Sequence, residues 1–88
     1  MYKKAQILKK EGKFLGAVPF LQDIIDKYPE DILADDALFQ LADIYENKLN
    51  NKDKAKDLYE TLLTKYPGSL FGVDARKRYR KLRGDKLN

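Results

Sequence analysis

The segment AVPFLQDIIDKYP at residues 17–29 returns as AKDLYETLLTKYP at residues 55–67, thirty-eight residues later. The apolar positions of the helical stripe coincide: Ala17 with Ala55, Phe20 with Leu58, Leu21 with Tyr59, Ile24 with Leu62, Ile25 with Leu63 and Tyr28 with Tyr66. Both copies end in Lys-Tyr-Pro. Beyond them DILADDA at 31–37 aligns with SLFGVDA at 69–75, and the match continues through Leu41 with Tyr79 and Ile44 with Leu82. A fixed period of this size is the mark of stacked supersecondary units, none of which can bury its apolar face alone.

Within each unit the spacing is helical. Phe14, Ala17, Leu21, Ile24, Ile25 and Tyr28 recur every three or four residues and define one buried stripe. A first helix is predicted from Tyr2 to Glu11, ended by Gly12 in a left-handed conformation, and a second from Lys13 to Lys27. Pro19 lies past the first turn of that second helix, removing a backbone bond at a cost of up to roughly 3 kcal/mol, which predicts a kink or a late start. Tyr28-Pro29 stops the helix, because the residue before proline is pushed out of the helical region.

Asp31 and Ser69 are the expected N-caps of the third and fifth helices, each with a side-chain oxygen for an orphan N–H. The third helix carries Leu33, Ala34, Ala37, Leu38, Leu41, Ala42, Ile44 and Tyr45, too many for one stripe, so it is expected to be buried on two sides. Residues 47–51 form a turn, with Asn50 or Asn51 capping a fourth helix that runs to Lys65.

Eighty-eight residues allow one small domain with little stability to spare. The chain has no Cys and no His, which removes disulfides, thiolate chemistry, the commonest metal ligand and the commonest acid/base group near neutral pH. Its net charge of +4 is concentrated: from Leu70 to Asn88 seven basic residues face two acidic ones, a local balance of +5, and the remainder is −1. Only four largely apolar residues separate Lys4 from Lys9, too few for a signal peptide, and the longest apolar run, Phe14 to Leu21, is too short to span a bilayer. A soluble chain without membrane insertion is expected.

Leu38-x2-Leu41-Ala42-x2-Tyr45, followed by Ala55-x3-Tyr59-x2-Leu62-x4-Pro67, resembles the consensus of the tetratricopeptide repeat, with Leu for its Trp, Ala for its Gly and Tyr for its Phe. Ala5-x2-Leu8 and Ala17-x3-Leu21-x2-Ile24-x4-Pro29 give the first unit with a truncated start. The period of thirty-eight exceeds the family's thirty-four. The lengthened Tyr-Pro-x-Ser/Asp connections resemble those of bacterial cell-envelope members, which implies a cell-envelope or periplasmic setting if the chain is part of a longer bacterial protein. The resemblance implies an all-α, right-handed α-solenoid over residues 1–88: repeat 1 at 2–29, repeat 2 at 31–67, a capping helix at 69–83 and a tail at 84–88.

The fifth helix keeps Ala75, Tyr79 and Leu82 where the third has Ala37, Leu41 and Ile44, but replaces Leu38, Ala42 and Tyr45 by Arg76, Arg80 and Arg83. A helix that keeps its backward face and charges its forward face is expected to cap an array. At the other end Ile7 lies on a face that would receive an earlier unit. Two units and a cap fall short of the three repeats usually needed, so the chain reads as the C-terminal end of a longer array or as a piece stabilised by self-association through its N-terminal face.

The arginine run invites a nucleic-acid reading, but Asp74 and Asp85 flank it and its aromatic residue, Tyr79, is assigned to the core, so no nucleic-acid partner is expected. The carboxylate pairs Asp23/Asp26, Glu30/Asp31 and Asp35/Asp36 have no His, Cys or Gly-rich loop to complete a metal or catalytic constellation, so no enzyme activity and no cofactor are expected. The resemblance implies instead a non-catalytic module that binds a partner protein or peptide on its concave face. That face maps to Tyr2, Gln6, Lys9 and Lys10 on the first helix, Asp36, Phe39, Asp43, Glu46 and Asn47 on the third, and Lys77 and Lys81 on the fifth. Phe39 reads either as an aromatic anchor for a partner or as a cover for the gap between units. The Lys/Asn arrangement with which some members clamp a peptide C-terminal carboxylate is absent, with Tyr2, Gln6, Phe39 and Asp43 in its place.

Overall fold

The computed structural model describes residues 2–84 and contains five helices among them: α1 (Tyr2–Lys10), α2 (Phe14–Lys27), α3 (Ala34–Asn47), α4 (Lys52–Lys65) and α5 (Gly72–Arg83). Each packs chiefly on its neighbour in sequence, α1 on α2, α2 on α3, α3 on α4 and α4 on α5. The short connections make consecutive helices antiparallel neighbours, and the result is an all-α solenoid measuring 39 × 27 × 17 Å.

Small residues set the close approaches. Ala5, Ala17, Ala37, Ala42, Ala55 and Ala75 are completely buried, and Leu21, Leu38, Leu41, Ile44, Tyr59 and Leu62 fill the space beside them. As its wide apolar set predicts, α3 is buried on two sides, between α2 and α4. Arg76, Arg80 and Arg83 of α5 are exposed, whereas Ala75 is buried and Tyr79 and Leu82 pack on the core.

Both turns inside the units pass through a left-handed residue. Gly12 has φ 77°, with Lys13 N–H donating to the Leu8 carbonyl (2.7 Å) and Gly12 N–H to that of Lys9 (3.0 Å), a Schellman ending. Asn50, thirty-eight residues on, is likewise left-handed at φ 52°, a conformation asparagine tolerates better than most residues. Asn51 then caps α4, its Oδ1 accepting from Lys54 N–H at 3.2 Å.

The connections between units differ from expectation at the caps. Asp31 Oδ1 accepts from Leu33 N–H (2.8 Å) and Ser69 Oγ from Phe71 N–H (3.1 Å), yet the regular helices begin only at Ala34 and Gly72. A tight turn intervenes in both places: Asp31 N–H bonds the Tyr28 carbonyl and Ala34 N–H that of Asp31, and Ser69 to Tyr66 and Gly72 to Ser69 repeat the pattern. The polar side chains therefore brace a leading turn, and Leu33 and Phe71 occupy the cap positions. Nor does α2 start late. It is helical through Pro19, which is exposed at its sixth position, and the preceding-turn residue Leu15 is 72 % exposed.

Candidate interaction surface

Helices α1, α3 and α5 bring most of the expected binding residues together, in two polar clusters joined by the length of α3. The first centres on Gln40. Its Oε1 accepts from Gln6 Nε2 (2.6 Å) and Lys9 Nζ (2.7 Å), and its Nε2 donates to the Tyr2 hydroxyl (3.0 Å) and Asp36 Oδ1 (3.0 Å). Tyr2 in turn donates to Asp36 Oδ2. Burial and the Asp36 carboxylate raise the Tyr2 phenol above its usual pKa.

The second cluster centres on Arg78. Its Nη1 lies 2.8 Å from Asp43 Oδ1, 3.0 Å from the Tyr59 hydroxyl and 3.9 Å from Glu46 Oε1. The Tyr59 hydroxyl donates to Glu46 Oε1 at 2.8 Å, and the Glu46 carboxylate is buried, 8 % exposed. Burial pushes the Tyr59 phenol up, Glu46 adds to the effect and Arg78 opposes it. Burial also works against the charge on Arg78, but the bonds to Tyr59 and Asp43 outweigh it and hold the guanidinium above its usual pKa. A buried carboxylate is tolerable here because a hydroxyl and a cation both reach it.

Phe39 links the second cluster to the connection between α4 and α5. Its ring stacks on Phe71 (centroids 5.1 Å), meets Tyr59 edge-on (5.8 Å) and has the Arg78 guanidinium over it at 5.0 Å. The half-buried ring therefore spans the seam between the second unit and α5. Lys10, Asn47, Lys77 and Lys81 are exposed, and Asn47 Nδ2 donates to Asp43 Oδ1 at 2.7 Å.

Sequence reasoning missed both organisers, Gln40 and Arg78. They hold equivalent positions in α3 and α5, and an uncharged polar residue and a cation at one place in successive helices was the available signal.

A second concave region lies on the edge formed by the two connections between units. The Tyr66 hydroxyl donates to the Pro29 carbonyl (2.7 Å), tying one connection to the other, and Ser69 Oγ donates to Asp35 Oδ2 (2.7 Å), tying the second connection to the start of α3. Between them is a cleft of about 740 Å³. Burial, with the charges of Glu30 and Asp35, raises the Tyr66 phenol above its usual pKa.

Among the described residues no cluster of acidic side chains could hold a metal ion, and no helix is long and apolar enough to cross a membrane. No curated protein and no solved structure matches the chain. The family model of the tetratricopeptide repeat matches twice, at residues 1–31 and 36–69, leaving α5 outside both matches. Such repeats generally mediate protein–protein interaction and are typically non-catalytic. With two matched units that together span most of its length, and with helix pairs closed on buried alanines as that repeat requires, the chain belongs to the tetratricopeptide repeat family.

Proposed function

We propose that the chain is a non-catalytic protein-interaction module that docks a segment of a partner protein along the face lined by α1, α3 and α5. The observation that carries this reading is the continuity of polar groups across the three helices, from Tyr2 and Lys9 through Asp36 and Asp43 to Lys77 and Lys81. In each cluster the side chains are held by one another, so a partner meets a preorganised surface and loses less entropy on ordering it. Lys77 and Lys81 are exposed and form no ion pair among the described residues, which gives an incoming carboxylate a place at the α5 end.

The test is capture of a partner by immobilised protein, compared with the double variant Lys77→Glu/Lys81→Glu. Both positions are exposed, so the variant should keep its melting profile and lose the captured protein. Equal capture by both proteins would overturn the assignment of this face.

The alternative, a purely structural cap of a longer scaffold, is favoured by the exposed Arg76 and Arg80 on α5. Ile7, 54 % exposed on α1, is where an earlier unit or a second copy would sit. Retained stability in a fusion carrying an extra consensus unit before α1, and its loss when that unit follows α5, would favour the cap.

A further inference from the structure

Ile32 and Leu70 are 89 % and 95 % exposed, although both are aliphatic and neither lies at a chain end. Single exposed apolar residues are ordinary on a protein surface. Here, however, the two occupy the same position in successive units, one in each connection: Ile32 lines the cleft between them, and Leu70 directly follows the lining residue Ser69. The cleft between the connections is lined by Glu30, Asp31 and Asp35 against one cation, Lys65. Asp31 and Asp35 are engaged with Leu33 N–H and Ser69 Oγ, whereas Glu30 is exposed and has no ion pair among the described residues. The edge thus offers two aliphatic side chains beside an acidic hollow, chemistry that fits a basic amphipathic helix.

The exposed face of α5 is basic and carries one aliphatic residue. Val73, Arg76, Lys77 and Arg80 fall at spacings of three and four on α5 and share one face. Val73 is 62 % exposed, and the three basic residues are exposed with no carboxylate partner among the described residues. Among the described residues no hydrogen bond or ion pair joins Arg76, Lys77 or Arg80 to a carboxylate of the cleft, so the complementarity of an acidic cleft and a basic face is unsatisfied within one molecule.

We propose that the connection edge of one copy docks the basic face of α5 from a second copy, so that copies associate head to tail. Such a contact is heterologous: it leaves a free edge at one end and a free α5 at the other, and growth continues unless an end is blocked. Because much of the attraction is between exposed charges, it weakens as salt screens them.

The experiment uses sedimentation velocity on the whole chain in an Ile7→Ser background, which removes the N-terminal face as a contact. In about 20 mM salt, where screening is weak, the average mass should rise with concentration up to about 1 mM, the range in which small interfaces become visible. In about 0.5 M salt it should fall back towards the monomer. Two blocked forms then test the geometry: an edge variant, Glu30→Lys/Ile32→Ser/Leu70→Ser, and a helix variant, Arg76→Glu/Arg80→Glu. All five positions are exposed, so helical circular dichroism should be kept. Each blocked form alone should stay monomeric, and an equimolar mixture should give a one-to-one dimer, since each supplies the surface the other lacks.

Association that persists in either blocked form, or a mixture that remains monomeric, would overturn the proposal. So would a parent chain that stays monomeric in low salt; perturbation of the Ile32 and Leu70 methyl resonances by an arginine-rich peptide would then assign the edge to a foreign basic segment.

Discussion

Arg78 and Asp43 meet at 2.8 Å across the seam between α5 and α3, and the same guanidinium nitrogen reaches the Tyr59 hydroxyl at 3.0 Å. One cation from the last helix thereby closes a cluster whose other members come from α3 and α4. The ion pair alone is only partly buried, with both side chains about one-third exposed, and would contribute little. Its weight comes from Glu46 beneath it, which without Arg78 would keep a buried carboxylate with a single hydroxyl donor.

Arg78→Met should therefore destabilise the chain by about 1–3 kcal/mol, read as a lower midpoint in urea. Asp43→Asn should cost less, because Glu46 retains the cation. The double variant should be less destabilised than the sum of the two, with a coupling above about 0.5 kcal/mol. Strict additivity would remove Arg78 from the cluster.

Tyr59 gives the fold an alkaline limit. Its phenol is raised by burial, so between the unfolded pKa of about 10 and the higher folded value the native state keeps a proton that the unfolded state has lost. Stability is then fully present below about pH 10 and falls as pH rises beyond it. Urea midpoints at a series of pH values should show this decline, and Tyr59→Phe, although less stable at neutral pH, should show a shallower one. Parallel slopes for the two proteins would assign the decline to other tyrosines.

Tyr66→Phe removes the bond to the Pro29 carbonyl and nothing else of size. A loss of about 0.5–1.5 kcal/mol is expected. The corresponding change at the first motif, Tyr28→Phe, should be nearly silent, because Tyr28 is 52 % exposed and its hydroxyl has no partner among the described residues. Equal losses at both positions would contradict the asymmetry.

Phe39→Ala should lower stability by about 2–3 kcal/mol, below the cost of a fully buried phenylalanine because the ring is half-buried. Leu41→Ala, at a completely buried position, should cost about 2–5 kcal/mol. A Phe39→Ala protein as stable as the parent would show that the stack on Phe71 contributes nothing to the fold.

Pro19→Ala should stabilise. The substitution restores an N–H able to bond the Leu15 carbonyl and relieves the ring's clash with it, gains worth up to about 3 kcal/mol, offset by about 0.4–1 kcal/mol of unfolded-chain freedom. The side chain is exposed, so no packing is lost. A lower melting temperature would point to a bend at Pro19 that the packing of α2 requires.

The helices and their stacking were legible because they follow from periodicity. Ala17 and Ala55 each let two helices approach closely, and Tyr28 and Tyr66 each end a helix. Tasks with a fixed spacing can be read without coordinates; the left-handed turn at Asn50, opposite Gly12, was not read in this way. The two clusters were not legible in the same way. Whether Arg78 points at solvent or at Asp43 depends on how far α5 is turned relative to α3, a rotation set by the packing of Ala75 and Phe71 and written in no single residue. The cap assignments at Asp31 and Ser69 failed for a related reason: each side chain does accept an N–H two residues on, but it serves a turn that precedes the regular helix.

Packing chiefly between neighbours in sequence has a mechanical consequence. Tension applied along the chain loads the four helix interfaces one after another, with no strand clamped between distant partners to resist it. The cross-ties at Tyr2–Asp36, Tyr66–Pro29 and Arg78–Asp43 are side-chain bonds that break singly. Under load the molecule should lengthen in small steps at low force, yielding as a soft spring rather than snapping as a latch.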